Sequence, residues 1–206
     1  GVASLVSVST SEAQTYTFVQ SDPFGIAPVI PYRYHTSFSF VDIDGDSDFD
    51  LFEHSHQNFF FHENIGTATT PVFDTVQTNP MGLAYTNYAG NSMDFADFDN
   101  DGDMDIMELD YIGNIFYYQN VGTATAAAFA TPALNPFGAN IPSTSYFGEI
   151  SLEIVDLDGD SDFDLTVSGY INYGFTVGFI ENIGTPAVPT FDPLLTGAYG
   201  TPTNGY

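Results

Sequence analysis

Three segments of this chain concentrate oxygen donors at fixed spacing. Asp42 to Leu51 reads DIDGDSDFDL, Asp97 to Ile106 reads DFDNDGDMDI, and Asp156 to Leu165 reads DLDGDSDFDL. Each puts aspartate at positions 1, 3, 5, 7 and 9. Five carboxylates this close repel one another unless a cation sits among them. Hard oxygen donors in this number, with no Cys or His in the loop, suit calcium; magnesium keeps more water and fewer protein ligands. Side-chain ligation is expected from positions 1, 3, 5 and 9, and a backbone carbonyl from position 7. The first loop then offers Asp42, Asp44, Asp46 and Asp50, with the carbonyl of Asp48. The second offers Asp97, Asp99, Asp101 and Asp105, with the carbonyl of Asp103. The third offers Asp156, Asp158, Asp160 and Asp164, with the carbonyl of Asp162. A solvated acidic turn is the lesser reading of one such loop, and three in one register leave it very weak.

An EF-hand would need a bidentate Glu at position 12 and flanking helices. Position 12 is Glu53, Glu108 and Val167, so it is not constant, and the runs that follow (FDLFEHS, MDIMELD, FDLTVSG) are short, aliphatic and aromatic. They read as strands, so each metal loop is expected to join a β-hairpin.

The surrounding chain repeats with the loops. Asp42 to Asp97 spans 55 residues and Asp97 to Asp156 spans 59. Downstream of the loops come HENIGT (from His62), QNVGT (from Gln119) and ENIGT (from Glu181), then PVF, AAF and PTF ending at Phe73, Phe129 and Phe191. NPMG (from Asn79) and NPFG (from Asn135) follow the first two, and the similar DPFG (from Asp22) precedes the first loop. Four strand-like pieces per unit result: 37–43, 49–55, 58–65 and 71–78 in the first; 92–98, 104–110, 114–121 and 127–131 in the second. In the third they are 150–157, 163–169, 175–183 and 189–193. No sustained helical period is present, and Gly and Asn mark the turns. The organisation is therefore 1–20, an N-terminal strand extension and candidate donor strand; 21–78, 79–131 and 132–193, three repeats; and 194–206, a C-terminal tail.

A strand, a DxDGDxDxDL loop, a further strand pair and an ENxGT turn together resemble the FG-GAP/VCBS repeat family. That family is similar to the calcium-loop blades of integrin α-subunit propellers and of many secreted bacterial surface proteins. The resemblance covers about residues 18–191. It implies an all-β fold of three four-stranded antiparallel propeller-type blades with one Ca2+ in each of three loops. Loops one and three carry Gly45 and Gly159 at position 4, whereas loop two carries Asn100 there and Gly102 at position 6. Propellers typically close with four to eight blades, so three imply an incomplete ring, completed by another chain or left as an open array.

Composition narrows the partners. The chain has 206 residues, 43% of them hydrophobic, enough for a real core despite a formal charge of −26. Of 27 acidic residues, 15 lie in the loops; the single basic side chain among Lys and Arg is Arg33. Nucleic acid and anionic membranes, which need basic patches, are poor partners. No apolar run reaches the length of a membrane span, so membrane insertion is not expected. Cysteine is absent, so disulfides contribute nothing. A start at Gly1, read as a processed mature form or an expressed piece, and a demand for millimolar calcium both suit an extracellular or cell-surface, secreted protein.

Other candidates are weaker. His54 and His56 share a strand face, with His62 near on the next strand. They read as a zinc or copper site or, preferably, as ordinary polar positions, since the other units lack them. Glu53, Glu63, Glu108, Glu149, Glu153 and Glu181 hold the pairings a glycoside hydrolase would need, but Glu63 and Glu181 are repeat-equivalent and precede turns. No G-x-S-x-G elbow is present. The expected function is non-catalytic, structural or adhesive, with self-assembly through strand exchange into a filament or ring. An extracellular protein or glycan is a further possible partner, and the competing class is a lectin-like module of a larger secreted adhesin or enzyme.

Overall fold

The computed structural model of the chain describes residues 36–55, 58–84, 90–110, 112–139, 141, 147–171, 174–193 and 195–196. The expected N-terminal strands within 1–20 and the DPFG segment lie outside these residues, as do His56 and Arg33.

The described chain is all-β. Each acidic loop closes an antiparallel hairpin, as the short apolar runs on either side require. Strands β1 (Thr36–Val41) and β2 (Asp50–Ser55) pair with Val41 opposite Asp50; β5 (Gly90–Ala96) and β6 (Asp105–Asp110) pair with Ala96 opposite Asp105. In the third unit β9 (Phe147–Val155) and β10 (Asp164–Ile171) pair with Val155 opposite Asp164. A third strand follows in each unit: β3 (Asn58–His62), β7 (Ile115–Tyr118) and β11 (Gly174–Ile180). Two-residue fourth strands β4 (Gln77–Thr78), β8 (Ala133–Leu134) and β12 (Leu195–Thr196) complete three four-stranded antiparallel sheets, each in sequence order.

The fourth strands of units two and three depart from expectation. Segments 127–131 and 189–193 are not strands; within them Phe129 and Phe191 make isolated bridges to Asn120 and Asn182. Their amides leave the sheet to reach the turn that follows the last strand of the preceding sheet, Phe129 N donating to Met81 O at 2.7 Å and Phe191 N to Phe137 O at 2.9 Å. The chain therefore rejoins its own sheet only afterwards, at β8 and β12, past residues 131 and 193.

Those two contacts give the NPMG and NPFG turns their role. Asn79 stands in for a strand residue: its N–H donates to Phe59 O and its Oδ1 accepts Phe59 N, and Asn135 does the same with Ile115. Asn79, Met81, Asn135 and Phe137 all have positive φ, which turns the chain out of one sheet and onto the next.

The sheets pack face to face through two apolar layers. Val41, Phe52, Phe59 and Phe61 of sheet one meet Met93, Ile106, Phe116 and Tyr118 of sheet two. The other face of sheet two, with Met107, Leu109, Ile115 and Tyr117, meets Leu152, Leu165, Val167 and Ile180 of sheet three. Strict alternation along β6 explains how one strand serves both layers. First strands also clasp directly: Leu152 N donates to Ser92 Oγ at 3.0 Å and Ile154 N to Asp94 Oδ2 at 3.0 Å. These bonds satisfy amides that an edge strand would leave open. No helix among the described residues is long and apolar enough to cross a membrane.

Candidate metal centres

The loops hold one backbone shape in all three copies. Positions 4 and 6 have positive φ throughout: Gly45 and Ser47, Asn100 and Gly102, Gly159 and Ser161. Each copy thus carries one glycine at the two left-handed positions, which accounts for the swapped residues of loop two. Position 1 fixes this shape. Asp42 accepts the amides of Gly45 and Ser47 at 2.8 and 3.0 Å, Asp97 those of Asp101 and Gly102 at 3.0 Å each, and Asp156 those of Gly159 and Ser161 at 2.7 and 3.1 Å.

Curling the loop gathers carboxylates. One oxygen each from Asp42, Asp44 and Asp46 lie within 4.8 Å of one another, as do those of Asp97, Asp99 and Asp101, and of Asp156, Asp158 and Asp164. Asp160 stands outside the third trio, and Asp50 and Asp105 stand outside the first two.

Position 9 has a second task in every copy. Asp50 accepts Asn64 N at 2.8 Å and Ile43 N at 3.5 Å; Asp105 accepts Asn120 N at 2.7 Å and Phe98 N at 3.1 Å. Asp164 accepts Asn182 N at 2.9 Å and Leu157 N at 3.0 Å. The carboxylate ties its loop to the turn after the third strand, and its Oδ1 keeps a lone pair for a metal, whereas Asp105 Oδ2 also accepts the Tyr117 hydroxyl at 2.8 Å. The turn is held in the same way each time: the side-chain oxygens of Asn64, Asn120 and Asn182 accept the amides of Gly66, Gly122 and Gly184 and of Val72, Ala128 and Thr190.

The feature that sequence reasoning missed is the side chain at position 7. Asp48, Asp103 and Asp162 are 6%, 7% and 4% exposed, and in each the Oδ1 is buried without a hydrogen-bond partner. A buried, unpaired carboxylate oxygen is costly, and three in equivalent places are what a cation would relieve. The signal was present in the sequence: a carbonyl ligand needs no particular side chain, yet position 7 is Asp in all three loops. Burial, with the neighbouring loop carboxylates adding to it, pushes Asp103 and Asp162 up to about 6 and raises Asp48. Burial also lifts Asp50 to about 6 and Asp105 to about 7, against the pull of the amides that bind them. The donor set is all oxygen, numerous and charged, and fits a calcium-sized hard cation.

His54 and His62 do not form a site together. Register puts His54 opposite Phe59 and His62 opposite Leu51, so the two lie on opposite faces of sheet one. The β2–β3 register, which sets Ser55 opposite Asn58, decides this. His54 instead enters the layer between sheets one and two. There its ring packs on Phe59 at 4.7 Å, and its Nε2 lies 3.5 Å from Glu108 Oε1. Glu63 and Glu181 occupy equivalent turns of different sheets, Glu108 is buried, and Glu153 is exposed. No protein-family model matches the chain, and no curated protein matches it either.

Proposed function

We propose that this chain is a non-catalytic calcium-binding repeat protein of the FG-GAP/VCBS kind, built from propeller-type blades and working outside the cell in a structural or adhesive role. The observation that carries the reading is the buried, unpartnered Oδ1 of Asp48, Asp103 and Asp162, each in a loop whose carboxylates converge. Asp42, Asp44, Asp46 and Asp48 would hold the first ion, with Asp50 behind them. Asp97, Asp99, Asp101, Asp103 and Asp105 would hold the second, and Asp156, Asp158, Asp160, Asp162 and Asp164 the third. A bound ion offsets part of the charge of the loop's five aspartates and pins the hairpin; it supplies no chemistry beyond charge. Ligand binding to the native state stabilises by about 2.7 kcal/mol per site at a hundredfold excess over Kd. Three sites are then comparable with a whole domain's roughly 5–15 kcal/mol. Thermal melting in calcium against excess EDTA tests this: a large downward shift in Tm is expected, and coincident curves would sink the reading.

Self-assembly belongs to the same proposal. Phe38 and Phe40 of β1 stand 65% and 52% exposed, while the equivalents of Phe38, Met93 and Leu152, are buried and those of Phe40, Phe95 and Ile154, are half-buried. A strand from a second copy laid along this edge would cover them and continue the array, as a ring or as a filament according to the rotation. Light scattering on the full chain and on a deletion of residues 1–20 tests it; monomers from the full chain in calcium at high concentration would end the assembly claim.

A second reading, a glycan-binding module, is favoured by one observation. A cavity of about 280 Å3 opens where β1, β5 and β9 converge, lined by Ser39, Asp94, Ser151 and Glu153 beside Phe38. Hydroxyls and carboxylates next to an aromatic ring suit a sugar, and a glycan array reads this directly.

A further inference from the structure

The three loops are alike, but the residue that overlooks them is not. The position immediately before the turn asparagine is Glu63, Gln119 or Glu181. The backbone there is the same in each unit. The carbonyl of Glu63 accepts Asp74 N at 2.8 Å, that of Gln119 accepts Ala130 N at 2.9 Å, and that of Glu181 accepts Asp192 N at 2.9 Å. The next residue's amide goes to the position-9 aspartate each time. In unit two the side chain reaches the metal loop: Gln119 Nε2 donates to Asp99 Oδ2 at 2.6 Å, while Asp99 Oδ1 is buried without a partner.

From these contacts we propose that Glu63 and Glu181 add a carboxylate to the first and third calcium sites, and that Gln119 makes the second site the weakest of the three. The inference rests on the calcium-binding reading above. An amide can donate to a carboxylate at that distance; a glutamate on the same backbone cannot. A glutamate turned toward its loop as Gln119 is, Glu63 toward Asp44 and Glu181 toward Asp158, would set two carboxylates together and need a cation between them. A calcium ion takes six to eight oxygens, so the extra carboxylate has room beside the loop donors. In unit two the amide neutralises part of Asp99 and offers the ion no anionic oxygen. Calcium affinity in oxygen-ligand loops is tuned over decades by how many charged ligands they hold.

The test is calorimetric titration of the metal-free full chain with calcium ion alone. Two tight sites and one weaker by about tenfold or more are expected. Gln119→Glu should merge the weak site with the tight pair, while Glu63→Gln and Glu181→Gln should each move one tight site into the weak class. Because the loop sequences are untouched, loop differences cannot produce these shifts. Terbium luminescence in the same variants reports the same sites by a second signal. Calcium binding at three sites that neither Gln119→Glu nor Glu63→Gln alters would overturn this inference and leave the calcium reading intact. Absence of any calcium binding by the unmodified chain would overturn both.

Discussion

Asp105 and Asn120, fifteen residues apart, are joined by a 2.7 Å hydrogen bond from the Asn120 amide to Asp105 Oδ1, while Asp105 Oδ2 accepts Phe98 N and the Tyr117 hydroxyl at 3.1 and 2.8 Å. This carboxylate is fully buried and links the start of the acidic loop, the third strand and the turn beyond it. It is therefore part of the fold with or without an ion.

Asp105→Asn separates the two roles. The amide end of asparagine would face an N–H donor, leaving a buried clash of donors that costs about 1–3 kcal/mol. Urea melts in excess EDTA should show this loss, whereas Asp101→Ala should destabilise only in calcium. Equal effects of the two variants in EDTA would refute the division of labour between positions 5 and 9.

Asp46→Ala, Asp101→Ala and Asp160→Ala should each remove one calcium from the titration and loosen one sheet. Repeat arrays couple mainly between neighbours, so the other two sites should persist. A variant that retains all three sites would show that position 5 does not ligate.

Gly122 sits where any side chain collides with the chain. A Cβ there would lie 2.7 Å from Ala128 N, inside the turn that Asn120 holds together. Gly122→Ala should cost a few kcal/mol, read as a lower urea midpoint in the presence of calcium. Gly66 and Gly184 meet the same obstruction from Val72 N and Thr190 N, so the equivalent alanines should behave alike.

Glu108 carries a pH signature of its own. Burial between sheets one and two pushes its carboxyl up to about 7, against the hydrogen bond from Tyr118; Asp110 adds to the rise. With the folded pKa above the unfolded one, the native state holds the proton longer. The penalty is absent below about pH 4.5, grows as pH rises toward 7, and then levels off at about 3 kcal/mol. Glu108→Gln should therefore gain stability over the parent at pH 8 and lose that advantage by pH 4. Melts of both proteins in saturating calcium make the comparison, since the metal sites then cancel. A difference that does not vary with pH would refute the assignment.

What the residues determined on their own is what acts over a few positions. Aspartates at every second place, one glycine among two left-handed positions and short apolar flanks specify a curled anionic hairpin loop. Three copies, each followed by an Asn-x-Gly-Thr turn, were enough to read three equivalent β units. The fourth strands, the burial of Asp48, Asp103 and Asp162, and the separation of His54 from His62 were decided by tertiary structure. Each depends on strand register or on a neighbouring sheet: Phe129 and Phe191 leave their own sheets because Met81 and Phe137 offer carbonyls from the turns that follow the preceding sheets. A one-residue slip in pairing would move every side chain to the other face, so no local pattern could place them. Gln119 shows the same limit: its letter was visible, but that it reaches Asp99 follows only from bringing a turn back over a loop twenty residues earlier.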